Sequence, residues 1–180
     1  MKKHFVFTFI LTGLLAITFQ ISAQELKGKT VSTLKVIDPD NNPKDIPYLG
    51  EKVVMILYTD PDEKDVNDPL SNAVKAKKFP DAAYQGIGIA NCKDTWIPDA
   101  AIRMKARQKQ EQFPGSVILL DEKKVVSKNW GLGDCNNCGA VIVIGKDKKV
   151  KYFKKVWSQD ESKAASVEVL RVIEEEIKKI

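Results

Sequence analysis

Cys135 and Cys138 are the residues of this chain whose spacing is typical of thiol chemistry. They enclose only Asn136 and Asn137, in a loop rich in glycine, aspartate and asparagine. In an oxidising compartment, two cysteines at this spacing usually form a disulfide. The pair therefore has two interpretations. It is either a redox-active disulfide or a structural one, which would stabilise the folded chain by about 2 kcal/mol through loop entropy.

The neighbouring sequence limits how reactive this pair can be. A reactive cysteine needs a lowered pKa, usually from a helix N-terminus or a nearby cation. Cys138 instead leads into a predicted strand, and Asp134 stands next to Cys135. A carboxylate in that position raises the pKa of a thiol. If the pair is redox-active, we expect Cys135, which is further from the strand, to attack, and Cys138 to resolve the mixed disulfide.

Cys92 is the third thiol and ends a predicted buried strand. A lone cysteine there is usually a small hydrophobic residue without reactivity. The carboxyl ends of parallel strands, however, share one sheet edge where ligands bind, and a thiol at that edge can exchange with a nearby disulfide. The remaining interpretation is a metal site in which all three cysteines are ligands. A pair plus a distant third, without histidine, is a poor zinc signature, so we predict no metal and no cofactor.

Residues 1–23 have the pattern of a secretory signal peptide. A basic start at Lys2-Lys3 is followed by an apolar run from Phe5 to Phe19 and by Ala23 before polar residues. We expect cleavage after Ala23, which leaves a domain of residues 24–180 in the periplasm or outside the cell. The run is shorter than the roughly 20 apolar residues of a membrane span, and no cysteine follows it, so we expect no membrane anchor after cleavage.

Cleavage would also remove His4, the only histidine of the chain. Without an imidazole, Ser-His-Asp and Cys-His catalysis and zinc sites that use histidine are excluded. Loss of Lys2 and Lys3 lowers the formal net charge from +5 to +3. This mildly basic balance does not favour nucleic acid as a partner. The partner we expect is an extracytoplasmic protein.

Strands and helices alternate along residues 24–180, which predicts a single α/β domain with a sheet of mixed direction. The predicted elements are strands at 53–58, 84–92 and 116–120, helices at 68–78 and 98–113, a helical turn at 125–130, a hairpin of 140–144 and 149–155, and a closing helix. Asp68 is the predicted N-cap of the first helix and Ser158 that of the last. The strands at 53–58, 84–90 and 140–144 are predicted to be central, with the last antiparallel to the first.

This order of elements resembles the thioredoxin fold, in the form found in peroxiredoxins and TlpA-type periplasmic thiol oxidoreductases. Residues 31–58 are similar to the opening of that fold, and residues 116–150 to its second half. Within the fold, the chain most resembles the small periplasmic YtfJ family. That resemblance rests on Lys78-Phe79-Pro80 with Tyr84-Gln85, on Ile97-Pro98 after the Asn-x-x-Asp stretch from Asn91 to Asp94, and on Trp130 before the hairpin.

The chain departs from the redox-active members of this fold at two positions. Where they carry Trp-Cys-x-x-Cys after the first buried strand, this chain has Thr59–Glu63, and Gly139 occupies the place of their cis-proline. The resemblance therefore implies that Cys135 and Cys138 lie beside the usual active site rather than in it. It also implies that four residues, Asp60, Asp62, Trp96 and Gly139, make contacts at the sheet edge where this site lies.

Two function classes remain open. One is a weak thiol–disulfide oxidoreductase or redox sensor that uses Cys135 and Cys138. The other is a non-catalytic thioredoxin-fold protein that binds a partner through the same edge, with a structural disulfide. The acidic residues from Asp60 to Asp68 are typical of a solvated loop before a helix, and weak cation binding or docking of a basic partner is the alternative for them.

Overall fold

The computed structural model describes residues 26–179, and the predicted signal peptide lies outside the described residues. The strands are β1 (Lys35–Ile37), β2 (Pro43–Asp45), β3 (Val53–Thr59), β4 (Tyr84–Ala90), β5 (Val117–Leu120), β6 (Gly139–Ile144) and β7 (Val150–Val156). The helices are α1 (Asp68–Lys77), α2 (Asp99–Gln112), α3 (Val125–Trp130) and α4 (Gln159–Ile177), and a 3-10 turn lies at Pro61–Glu63. No helix within the described range is long and apolar enough to cross a membrane.

The seven strands form one mixed sheet in the order β2-β1-β5-β4-β3-β6-β7. β3, β4 and β5 are parallel, and β6 runs antiparallel to both β3 and β7. The predicted α/β fold with a mixed sheet is confirmed. The strands that contain Val53–Tyr58, Tyr84–Ala90 and Ala140–Ile144 are central, and the last is antiparallel to the first, as their apolar continuity predicted.

Both faces of the sheet are covered, which explains why the central strands are continuously apolar. Val54, Ile56 and Tyr58 of β3 belong to one apolar cluster, together with Val126 and Trp130 of α3. The alternate residues of β3 belong to a second cluster, which includes side chains of α1 and α4. Successive side chains of a strand point to opposite faces, so one strand supplies both clusters.

The candidate functional residues lie at one edge of the sheet. β3, β4 and β5 end there and β6 begins there, because Thr59 pairs with both Ala90 and Gly139, and Ala90 pairs with Leu120. We call it the carboxyl edge. It is defined by the residues that follow the three parallel strands and precede β6, namely Asp60, Asn91, Asp121 and Cys138.

The start of α1 differs from the prediction by one residue. Asp68 is the first helical residue rather than the N-cap, which is Asn67, and Asn67 makes no side-chain capping bond. The reason is a contact with the sheet, because the side-chain amide of Asn67 donates a hydrogen bond to Thr59 Oγ1 at 2.8 Å instead. A tertiary hydrogen bond has replaced the local cap.

The start of α4 agrees with the prediction. The Ser158 hydroxyl accepts a hydrogen bond from the Glu161 amide, as a capping box requires. The reciprocal bond is displaced by one residue, because the Glu161 carboxylate accepts from the Trp157 amide.

Candidate functional site

The Cys135–Cys138 pair lies in the loop between α3 and β6, at the carboxyl edge. Both cysteines are free thiols in this structure. Their exposed fractions are only 1% and 0%, and both pack in the apolar cluster on the α3 side of the sheet. The structure therefore brings the two sulfur atoms together, but encloses them. The expected disulfide between them stays a prediction.

The Cys135 and Cys138 thiols act on each other's ionisation. The presence of Cys138, and after it burial, raises the pKa of Cys135 far above its ordinary value. The presence of Cys135 lowers the pKa of Cys138, because a protonated Cys135 stabilises the Cys138 thiolate. These directions favour Cys138 as the thiol that ionises first, whereas the sequence had favoured Cys135 as the attacking residue.

Two charged residues next to the pair act in opposite directions. Asp134 raises the pKa of both thiols, as expected from its place beside Cys135, and the ammonium of Lys155 lowers both. Lys155 also donates a hydrogen bond to the Asp134 carbonyl oxygen. Lys155 was missed in the sequence, although the register of the predicted hairpin could have found it, since Lys155 pairs with Ala140, two residues after Cys138.

Asp60 contacts the cysteine loop directly and is completely buried. Its Oδ2 accepts a hydrogen bond from the Asn137 amide at 2.8 Å, and its Oδ1 accepts from the Asp62 amide at 3.0 Å. The Asp60 amide in turn donates to the Cys138 carbonyl oxygen at 3.1 Å. The expectation of a solvated acidic loop was therefore wrong for Asp60, because its buried carboxylate is held by two backbone amides.

Asn91 and Asp121 continue this row of buried polar residues after β4 and β5. The side-chain amide of Asn91 donates to Asp94 Oδ2 at 2.6 Å and to the Cys135 carbonyl oxygen at 3.5 Å. Asp121 accepts from the amides of Val125 and Val126, at the start of α3. The sequence analysis used Asn91 only for the family resemblance and did not predict either residue at the site, although a polar residue directly after each of three apolar runs was a usable signal.

Tyr58 joins this row from the end of β3. Its hydroxyl donates to Asp121 Oδ2 at 3.1 Å. Burial, and after it the Asp121 carboxylate, raises the pKa of Tyr58 far above its ordinary value. The phenol therefore stays protonated and acts as a hydrogen-bond donor next to the Cys135 side of the site.

Cys92 reaches the carboxyl edge but lies on the other face of the sheet. It packs with Ile102 and Ala106 of α2 and with Leu120, whereas Leu119 belongs to the cluster of Cys135. Adjacent strand residues face opposite sides of the sheet, so the sheet separates Cys92 from the Cys135–Cys138 pair. Burial raises the pKa of Cys92 to about 12. The structure thus does not bring this third thiol to the pair.

The other predicted edge contacts differ in their surroundings. Trp96 is 84% exposed in the loop after β4, and Asp62 is exposed in the turn after β3. Gly139 is buried in β6, where a Cβ atom would lie 2.9 Å from both Asn67 Cγ and Val66 Cγ1. Within residues 26–179, no three or more His, Cys, Asp or Glu side chains are arranged to hold a metal ion.

Comparison with solved structures defines the class of protein. The chain is similar to a putative thiol:disulfide interchange protein DsbE from Chlorobium tepidum, with a TM-score of 0.57 and 14% identity over 82% of this chain and 97% of that one. It is also similar to the exposed lipoprotein thioredoxin Etrx1 of Streptococcus pneumoniae, with a TM-score of 0.57 and 10% identity over 80% and 99%. A thiol peroxidase from Chromobacterium violaceum matches with a TM-score of 0.56 and 13% identity over 81% and 86%. These similarities show a thioredoxin-like fold.

The family follows from the sequence. Residues 49–176 match the bacterial proteins of unknown function YtfJ_HI0045, and the chain belongs to this family. It is 30% identical over 92 residues to an uncharacterized protein of Haemophilus influenzae, which covers 51% of this chain and 49% of that protein. It is 30% identical over 93 residues to the uncharacterized protein YtfJ of Escherichia coli, with the same coverage. The chain thus spans about half the length of the curated relatives it matches.

Proposed function

We propose that this protein is an exported thiol–disulfide oxidoreductase of low efficiency that uses Cys135 and Cys138. The observation that carries the proposal is the placement of two free thiols, Cys135 and Cys138, in one loop at the carboxyl edge. The interaction with Cys135 lowers the pKa of Cys138, which is the condition for a nucleophilic thiolate. The position of the pair at the carboxyl edge of a thioredoxin-like sheet supports the same function.

In the proposed reaction, the reduced pair transfers two electrons to a disulfide of an extracytoplasmic protein. The Cys138 thiolate attacks one sulfur of that disulfide, forms a mixed disulfide and releases the other sulfur as a thiolate. Cys135 then loses its proton and attacks the Cys138 sulfur. The mixed disulfide breaks, the Cys135–Cys138 disulfide forms, and the partner leaves with both cysteines reduced. Oxidation of a partner is the reverse of these steps.

Low efficiency follows from three features of the site. Both sulfur atoms are enclosed, so the loop must open before a partner disulfide can reach them. The pair precedes a strand rather than opening a helix, so no helix N-terminus stabilises the thiolate. The carboxylates of Asp134 and Asp60 also raise the pKa of Cys138.

The alternative function is a non-catalytic partner-binding protein in which the pair forms a structural disulfide. The burial of both sulfur atoms favours it, since structural cysteines are enclosed and inert. The reduction potential of the Cys135–Cys138 pair decides between the two functions. Structural disulfides of secreted proteins typically lie below about −300 mV, and catalytic ones are more oxidising. We expect a value above that limit, measured by equilibration with glutathione buffers, and a value below it would contradict the oxidoreductase.

Export is the part of the proposal that rests on residues 1–23. Their basic start, apolar run and small residue before the expected cleavage site are typical of a signal peptide. A periplasmic or extracellular location would supply both the oxidising conditions and the protein partners that a thiol–disulfide exchange requires.

A further inference from the structure

The cysteine pair is closed by its own loop. With exposed fractions of 1% and 0%, neither sulfur atom can be approached by another protein in this conformation. Any thiol exchange therefore needs residues 135–138 to move away from the sheet. The groups that hold this segment determine how often the site opens, and hydrogen bonds to its backbone are the first candidates.

Asp60 holds the segment through hydrogen bonds to two of its residues. It accepts from the Asn137 amide at 2.8 Å, and its own amide donates to the Cys138 carbonyl oxygen at 3.1 Å. The other side-chain hydrogen bonds to the backbone of this segment are longer: the Asp134 carboxylate accepts from the Asn136 amide at 3.1 Å, and the Asn91 side chain donates to the Cys135 carbonyl oxygen at 3.5 Å. A hydrogen bond to a carboxylate is also stronger than one between neutral groups.

The backbone at Asn137 supports this assignment. Asn137 has a φ of 52°, in the left-handed region that non-glycine residues enter at a cost, although asparagine tolerates it better than most. This conformation turns its amide toward the buried carboxylate of Asp60. If the hydrogen bond is removed, the backbone loses the partner that holds it in this conformation.

We propose that Asp60 is a positioning residue that latches the 135–138 loop and thereby controls access to the cysteine pair. This regulation rests on the proposed function, since it concerns the same two thiols. Asp60 occupies the Thr59–Glu63 segment, which lacks the cysteines of redox-active relatives. In this chain the segment holds the backbone of the cysteine loop instead of carrying the cysteines.

The latch has an electrostatic effect as well as a steric one. The buried carboxylate of Asp60 lies close enough to raise the pKa of Cys138. In the closed state, Asp60 therefore both holds the loop that encloses the thiols and disfavours the ionisation of Cys138. Opening of the loop moves Cys138 away from this charge, so access and reactivity increase together.

The test measures how fast the reduced protein reacts with a bulky maleimide and with iodoacetamide. Asparagine has one uncharged acceptor oxygen where Asp60 uses two to hold the Asn137 and Asp62 amides, so for Asp60→Asn we expect labelling of the pair to rise roughly tenfold or more. The pH profile of iodoacetamide labelling should move to lower pH, because the charge next to Cys138 is gone. Glu63→Gln, which removes a carboxylate from the same turn without affecting the Asn137 bond, should change neither readout.

A second control separates latch opening from general destabilisation. Val169→Ala creates a cavity in the other apolar cluster, under α4, and should lower the free energy of unfolding without touching the loop. Labelling of Asp60→Asn at the wild-type rate, or equal acceleration by a Val169→Ala variant of matched stability, would overturn the latch.

Wild-type protein provides an independent measurement if Asp60→Asn does not fold. The Asn137 amide and the thiols should become accessible through the same opening, so amide hydrogen exchange and thiol labelling should give the same opening constant. Exchange at Asn137 that is much faster than the opening seen by thiol labelling would also overturn the proposal. None of these readouts needs redox activity, so a pair that fails to exchange with glutathione would refute the proposed function and leave the latch standing.

Discussion

The hydroxyl of Tyr58 donates a hydrogen bond to Oδ2 of Asp121 at 3.1 Å, which links the ends of β3 and β5 beneath the cysteine loop. The same carboxylate accepts from the first amides of α3, so a single buried charge joins two strands and a helix. The candidate site therefore rests on a buried polar network in which Asp121 needs each of its hydrogen-bond donors.

The first prediction concerns this donor. Tyr58→Phe should lower the free energy of unfolding by about 1–3 kcal/mol, because Asp121 stays buried with one partner fewer. Chemical denaturation measures the change. Tyr152→Phe is the matched control, since Tyr152 is only half-buried on β7, and it should change stability by less than about 0.5 kcal/mol. Equal effects of the two substitutions would contradict the importance of the Tyr58 bond.

The second prediction concerns pH. Burial is the largest single influence on the pKa of Asp94 and raises it, but the hydrogen bonds from Lys124 and Asn91 and the charge of Lys124 together outweigh it. The net pKa of Asp94 therefore lies below its ordinary value of 3.8. A carboxyl group with a lowered folded-state pKa stabilises the fold above its unfolded-state pKa, and this contribution is lost as the pH falls through the folded-state value. Asp94→Asn should therefore cost about 1 kcal/mol at pH 7.

The pH series provides its own check. The difference in unfolding free energy between wild type and Asp94→Asn should shrink as the pH is lowered below about 4, where the wild-type carboxyl group begins to be protonated in the unfolded chain. Urea denaturation at several pH values between 3 and 7 measures it. A difference that stays constant across this range would show that the charge of Asp94 contributes nothing.

The third prediction tests the space at Gly139. Gly139→Ala should destabilise the protein by about 1–3 kcal/mol, because the added Cβ would lie 2.9 Å from Asn67 Cγ and must displace the Asn67 side chain. Gly88→Ala on neighbouring β4 is the matched control, since its Cβ would meet only ordinary contacts at 3.9 Å and beyond. It should be neutral or slightly stabilising. A neutral Gly139→Ala would mean that Asn67 moves without loss.

Much of the fold could be predicted from the sequence, because apolar continuity identifies a strand buried on both faces. Val53–Tyr58 and Ala140–Ile144 carry this signal strongly, and the turn after Ile144 gives the antiparallel direction of β6 and β7. Once those directions are known, the end of β3 and the start of β6 must share an edge. For this reason Cys138 could be placed there before any coordinates.

The composition of the site could not be predicted to the same extent. Alternate residues of a strand face opposite sides of the sheet, so a shift of one residue changes the side. The sequence alone did not show that Cys135 would pack in the cluster of Leu119, and Cys92 in the cluster of Leu120 on the other face. Asp60 reads as solvated because carboxylates usually are. Its burial depends on an amide supplied 77 residues later by Asn137.

The fourth prediction concerns export. The protein secreted or exported by its native host should begin at Gln24, because the small residue Ala23 follows the apolar run at the position where signal peptidase cleaves. Intact mass spectrometry of the exported protein measures this. Substitution of Ala23 by a bulky residue such as Phe should block processing and leave the longer chain. An exported protein that retains Met1 would contradict the prediction.

The last prediction separates the two proposed functions in the cell. If the pair is redox-active with Cys138 as the nucleophile, Cys138→Ser should abolish activity, and Cys135→Ser should trap a mixed disulfide with the natural partner, because no resolving thiol remains. If the pair is a structural disulfide, both substitutions should trap nothing and lower stability by similar amounts, about 2 kcal/mol. Cys92→Ser is the control, since Cys92 lies on the other face of the sheet and should trap no partner. The variants are expressed with their own N-terminal segment and analysed on non-reducing gels. A thiol-sensitive adduct specific to Cys135→Ser supports the oxidoreductase, whereas its appearance with Cys138→Ser instead would return the attacking role to Cys135.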